Sequence, residues 1–242
     1  ARWIEDSVSF PSTMVDRIVP AATEADLDLV AEALGLRDEA AVVTEPFSQW
    51  VIEDDFPLGR PAWEKAGAVM TGDVEPFEAM KLRLLNGPHS AIAYLGFLAG
   101  EETVSGCMAW PAMRRYAEDL MTGEIAPTVE APANYDVGAY IRELLERFDN
   151  PGLRHRTWQI AMDGSEKLPQ RLLGTIRDRL SRGLPIRRLA HAVGAWMGYV
   201  AGVDERGRDI DVRDPLADLL RCRARPLLGD APAMAESLLG LT

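Results

Sequence analysis

Cysteine and histidine are both scarce: the 242-residue chain holds two of the first and three of the second. Cys107 and Cys222 have no C-x-x-C spacing and no histidine close by in sequence. A zinc site of familiar spacing and a dithiol redox motif are therefore excluded, and two isolated thiols read as free ones. A metal held by Glu78 and His89 would lack a third obvious ligand. No GxGxxG follows a strand, and neither GxxxxGK[ST] nor GxSxG occurs, so the residues show no nucleotide-gripping turn and no hydrolase nucleophile elbow. No apolar run reaches the ~18–20 residues that would span a bilayer, and the opening ARWIEDSVSF is too polar for a signal peptide. The cytoplasm is the expected location. The chain has no initiator methionine and reads as the interior of a longer protein. Positive charge is also in short supply, with 26 Lys and Arg against 38 Asp and Glu for a net charge of −12, which argues against a nucleic-acid partner.

What is present is a globular composition, 47% hydrophobic, with an uneven distribution of charge. Residues 21–78 carry fourteen acidic side chains against three basic ones, and residues 151–188 carry nine basic against three acidic. The basic block is local enough to face an anionic ligand, and equally it fits a solvated arginine-rich helix face. FPSTMVDRIVP, residues 10–20, reads as an extended connection. Thr23 and Asp26 resemble a capping box for a helix over 24–35 closed by Gly35. Residues 40–74 change period, with short β-branched or aromatic runs separated by Pro and Gly, and predict two or three strands.

Beyond Pro76 the pattern is helical. The spacing predicts helices over 76–100, 110–122, 135–148, 153–163, 166–182 (with Ser165 as N-cap), 186–202, and near 214–224 and 232–239. Loops are expected at 126–134 and 203–212. The stretch Pro76–Gly100 is the most unusual, because it is mostly apolar yet carries Glu78, Lys81, Asn86 and His89. At about 100° per residue with Lys81 at zero, Glu78 lies near 60°, His89 near 80° and Asn86 near 140°. An acid, an amine, an amide and an imidazole thus share one arc of one rigid element, which is what proton-transfer chemistry needs. The plainer alternatives are a snorkelling Lys81 paired with Glu78 across i,i+3, a helix break at Asn86-Gly87-Pro88, and a structural histidine.

The spacing Lys-x4-Asn-x2-His in MKLRLLNGPHS resembles the catalytic signature of the long-chain mannitol dehydrogenase family. FPSTMVDRIVPA, EPFSQWVIEDDF, GRPAWEKAGA and NPGLRHRTWQIAMDGSEKLPQRL resemble that family too. The last block is most similar to its fructuronate reductase (D-mannonate oxidoreductase) branch. The resemblance runs from about residue 3 to residue 220.

It implies a mainly α fold, the multi-helical C-terminal domain of such dehydrogenases (6-phosphogluconate dehydrogenase C-terminal-like), with a few short strands around residues 40–74. Residues 1–20 would be a junction segment and residues 21–242 the substrate-binding and catalytic domain. The NAD-binding Rossmann domain would be absent from this chain and would be its partner, leaving the piece inactive alone.

The resemblance also implies metal-independent hydride transfer between a sugar acid or polyol and NAD. Lys81 would be the acid/base, Asn86 the oxyanion stabiliser, His89 a substrate contact and Glu78 a gate for proton exchange with solvent. Lys167, Gln159 and Arg156 would line the substrate. Gln159 stands where mannitol-specific relatives carry Arg, which favours mannonate and fructuronate over mannitol, and Arg154, Arg156 or Lys167 would meet a uronate carboxylate. Pro88 replaces a usual Ser and would alter the angle between Asn86 and His89. Mannitol 2-dehydrogenase activity and a non-catalytic helical interaction domain are the competing readings.

Overall fold

The computed structural model describes residues 2–133, 135–204 and 206–241. Asn134, at the end of one expected loop, and Glu205, inside the other, lie outside the described residues. The chain divides into two compact units, Ala1–Ala79 and Met80–Thr242.

The first unit begins with helix α1 (Arg2–Ser7), followed by strand β1 (Thr13–Asp16), helix α2 (Glu24–Leu34), and strands β2 (Gln49–Glu53) and β3 (Val69–Thr71). The strands form one sheet in the order β1-β2-β3. β1 and β2 run antiparallel in a register that sets Thr13 against Ile52 and Asp16 against Gln49. β2 and β3 run parallel, with Val51 opposite Val69. Alternation puts Met14 inward and Val15 outward, and Val51 and Ile52 are buried at the sheet's centre. Glu45 is also buried, and one of its carboxylate oxygens accepts from the Ile18 N–H, so a backbone donor beyond the end of β1 is satisfied.

The Thr23–Asp26 capping box forms as the sequence indicates, and Gly35 closes α2 with a left-handed φ of 70°. Of the residues of α2 only Leu27 is buried, and Leu34 is exposed. The expected fold also needs correction. Strands are not confined to residues 40–74, because Thr13–Asp16 in the supposed connection is the first strand of the sheet. The chain is therefore not a helical domain alone.

Helix α3 (Glu75–Lys81) leads into a π-turn at Leu82–Asn86 and then α4 (Gly87–Leu98). The second unit continues with α5 (Val104–Met108), α6 (Pro111–Asp119), a second π-turn at Leu120–Ile125, α7 (Val137–Phe148), α8 (Thr157–Ala161), α9 (Gly164–Leu168), a third π-turn at Pro169–Leu173, α10 (Gly174–Ser181), α11 (Arg187–Val200), α12 (Ala217–Ala224) and α13 (Ala231–Leu238). α4 is the hub. It is apolar nearly all round and buried along most of its length, and it packs against α8 and α11. α7 buries Tyr140, Ile141, Leu144, Leu145 and Phe148, the stripe its sequence periodicity indicates, and Asp136 caps it by accepting from the Ala139 N–H. The expected cap at Ser165 is not one: α9 starts one residue earlier, and Ser165 donates its N–H and hydroxyl to Asp214 instead. No helix among the described residues is long and apolar enough to cross a membrane.

Candidate active site

The polar helix is continuous in helical conformation from Glu75 to Leu98, so Asn86-Gly87-Pro88 is not a break. Proline inside an α-helix lacks one N–H and crowds the carbonyl four residues back, here that of Leu84. The π-turn immediately before Pro88 widens the helix at that point: the Gly87 N–H reaches the Leu82 carbonyl, five residues back. Gly87 serves a second purpose. A Cβ there would lie 2.7 Å from the backbone oxygen of Arg171, so glycine lets the Pro169–Leu173 turn pack directly against the Leu82–Asn86 turn. Two π-turns in contact, each next to a proline, hold the centre of this region.

A π-turn carries one extra residue, so everything beyond it lags a uniform helical wheel by about 100°. His89 therefore moves from about 80° to about −20° relative to Lys81, and the two remain on one arc. Lys81 and Asn86, at either end of the turn, are half-buried, and His89 is buried. The His89 ring stacks on Phe148 at 5.2 Å between centroids and meets His155 edge-on at 4.6 Å. Burial, reinforced by the neighbouring His155, Arg171 and Arg147, holds its pKa well below the ordinary 6.5. Burial also pulls His155 down, to about 4. Both imidazoles are neutral near pH 7, fitted to hydrogen-bond a hydroxyl rather than to carry charge. Nδ1 of His155 is buried and has no hydrogen-bond partner among the described residues.

Lys167 is half-buried on α9. Its ammonium donates to the Met162 carbonyl at 2.7 Å and pairs with Asp163 at 3.3 Å. Asp163 is left-handed, with a φ of 57°, and begins the turn into α9. The next residue, Gly164, is wedged where a Cβ would come within 2.5 Å of both the Tyr94 hydroxyl and the Trp196 indole nitrogen. Tyr94 donates to the Ala161 carbonyl at 3.1 Å, tying α4 to α8. Gln159 is half-buried on α8. Arg156 is exposed, and its backbone bridges Thr103. Glu78 belongs to the first unit and is exposed on α3.

The structure thus gathers Lys81, Asn86 and His89 around one π-turn and leaves Arg156 at the surface. Sequence reasoning passed over His155, Ser90 and Arg171. Arg171 NH1 donates to the buried Ser90 hydroxyl at 3.0 Å, and burial lowers the guanidinium's pKa. A warning was present in the pattern, since Arg171 falls four residues after Lys167, on the same helix face.

The β1–α2 connection is the first strand-to-helix turn of the chain, and it does not suit a dinucleotide pyrophosphate. Residues 17–23 contain no glycine. The α2 N-terminus is filled by its own Thr23–Asp26 box and carries Glu24 and Asp26 in its first turn, which would repel phosphate. No residue of that turn is assigned to a cofactor.

A family model described as "Mannitol dehydrogenase C-terminal domain" matches residues 73–232, and one described as "Mannitol dehydrogenase Rossmann domain" matches residues 1–65. Escherichia coli D-mannonate oxidoreductase is 54% identical over 243 residues, covering 100% of this chain and 49% of that protein. Aspergillus fumigatus mannitol 2-dehydrogenase is 42% identical over 228 residues, covering 93% of this chain and 45% of that protein. The structure of Pseudomonas fluorescens mannitol 2-dehydrogenase, a ternary complex with NAD and D-mannitol, superposes with a TM-score of 0.87 at 38% identity, covering 98% of this chain and 48% of that one. The chain spans about half the length of the curated relatives it matches.

These matches correct the expectation of a C-terminal domain only. Residues 1–65 match the family's Rossmann model, so the chain carries sequence from both parts. NAD is not to be assigned to a domain absent from this chain, the Rossmann part is not a separate partner, and inactivity for want of it does not follow. A glycine fingerprint marks a single turn of a Rossmann domain. Its absence carries no information about the domain's other strands and helices, and that is where the inference failed.

Proposed function

Because the chain belongs to the mannitol dehydrogenase family, we propose that it serves an NAD-dependent oxidoreductase that interconverts a six-carbon sugar acid and its keto form, D-mannonate and D-fructuronate. The observation that carries this reading is the π-turn at Leu82–Asn86, which keeps Lys81, Asn86 and the neutral His89 together on one helix. NAD, when bound, supplies the hydride acceptor.

The chain's own residues handle the proton and the substrate. In oxidation, neutral Lys81 takes the hydroxyl proton as the C–H bond breaks; in reduction, its ammonium returns that proton. The Asn86 amide donates to the oxygen that gains negative charge. His89, buried against Phe148 and His155, hydrogen-bonds a substrate hydroxyl and fixes the sugar's orientation. Lys167 and Gln159 line the substrate, Lys167 held by Met162 and Asp163. Similarity to a D-mannonate oxidoreductase over the whole chain supports the sugar-acid substrate. Similarity to mannitol 2-dehydrogenases keeps a polyol as the second reading.

Steady-state turnover with D-mannonate, D-fructuronate, D-mannitol and D-fructose tests the choice. Higher kcat/KM for the acid pair is the expected result. A preference for mannitol and fructose would replace the first reading by the second, and no NAD-linked turnover of either pair would remove both.

A further inference from the structure

Among the cations of residues 151–188, most are either satisfied or solvated. Arg179 is buried but donates to the carbonyls of Pro185, Gly123 and Glu124. Arg188 pairs with Asp119, and Lys167 with Asp163. Arg154, Arg156, Arg177, Arg182 and Arg187 are exposed. Arg171 differs from all of these. It is half-buried on the Pro169–Leu173 turn, its one hydrogen bond goes to the neutral Ser90 hydroxyl, and it has no carboxylate partner among the described residues. Guanidinium groups withdrawn from water are ordinarily paired with an anion. The charge of Arg171 is felt at the neighbouring His89, and its own backbone carbonyl is packed against Gly87 at the end of the Leu82–Asn86 turn. The unpaired cation is therefore beside the proposed active site and fixed to the same pair of π-turns as Lys81 and Asn86.

Resting on the oxidoreductase reading above, we infer that Arg171 is the receptor for the substrate's carboxylate. A guanidinium presents five N–H groups in a planar fork that matches a carboxylate, and among the described residues it makes one hydrogen bond, to Ser90. The same comparison removes Lys167 from that role: its charge is already balanced by Asp163, which leaves it suited to neutral hydroxyls. A hexitol offers nothing to balance Arg171, whereas a hexonate does. Arg171 is thus the residue that separates sugar acids from polyols in this chain.

The test measures binding of D-mannonate and of D-mannitol to the intact protein with NADH present, by calorimetry, for the wild type, Arg171→Gln and Arg171→Lys. The wild type should bind mannonate more tightly than mannitol. Arg171→Gln should weaken mannonate by about 100-fold, in the range expected for breaking a desolvated charge pair, and change mannitol by less than about threefold. Arg171→Lys, which keeps the charge but loses the fork, should weaken mannonate by about tenfold. Equal losses for both ligands, or no loss for mannonate, would make Arg171 a structural tie to Ser90 and overturn the inference. Should neither variant fold, the wild type alone decides: mannitol bound as tightly as mannonate also overturns it. Selective mannonate binding through Arg171 without NAD-linked turnover would sustain the receptor and refute the oxidoreductase reading, so the two fail separately.

Discussion

Lys81 carries the acid/base role in the proposed chemistry, as an amine at one end of the π-turn. Lys81→Ala should lower kcat by about 10²–10⁴-fold, the usual worth of a positioned acid/base, with the KM for NAD unchanged within about threefold; steady-state kinetics at saturating substrate checks this. The histidines give a pH prediction for stability. His89 and His155 both have folded-state pKa values below the unfolded value of about 6.5. The unfolded chain therefore takes up protons first as pH falls. Stability is fully present above pH 6.5 and declines as pH drops toward 4, by at most about 1.4 kcal/mol per pH unit for each histidine. Denaturant unfolding at pH 7.5, 6.0 and 5.0 should show that slope, and His155→Phe should reduce it. These pairings were not legible in the sequence. Sixty-five residues lie between His89 and His155, and spacing arguments reach only along one element.

The π-turns set the geometry at the scale of elements. Sequence periodicity located the helix from Pro76 onward and named Lys81, Asn86 and His89, yet it treated the helix as uniform. The π-turn was foreshadowed by Pro88, whose missing N–H forbids a regular ladder there; what the pattern could not say was whether the chain would kink, break or widen. Contact with the Pro169–Leu173 turn decides for widening, and that is a tertiary fact carried by Gly87 and the Arg171 carbonyl. Gly87→Ala should therefore destabilise the protein by about 1–3 kcal/mol, as overpacking does, and displace the two turns. Gly164→Ala, wedged against Tyr94 and Trp196, should unfold at a lower temperature than Gly87→Ala, because two ring systems rather than one carbonyl would have to move.

Taken as a whole molecule, the chain separates its charges. The acidic stretch 21–78 falls in the first unit and the basic stretch 151–188 in the second. The helical part was readable because amphipathic stripes such as that of α7 repeat reliably. The first unit was not, because β1 is four residues long and its strand character depends on pairing with β2, thirty-odd residues on. Its Rossmann-family sequence carries no glycine fingerprint to announce it. Over the whole chain, the central claim is that one proton-handling lysine serves the oxidation of a sugar acid by NAD. The most direct test is the rate of NADH formation by the intact protein from D-mannonate, for the wild type and Lys81→Ala side by side at pH 7.5. The account predicts turnover in the wild type and a loss of at least about 100-fold in the variant. Equal rates in the two proteins would contradict it.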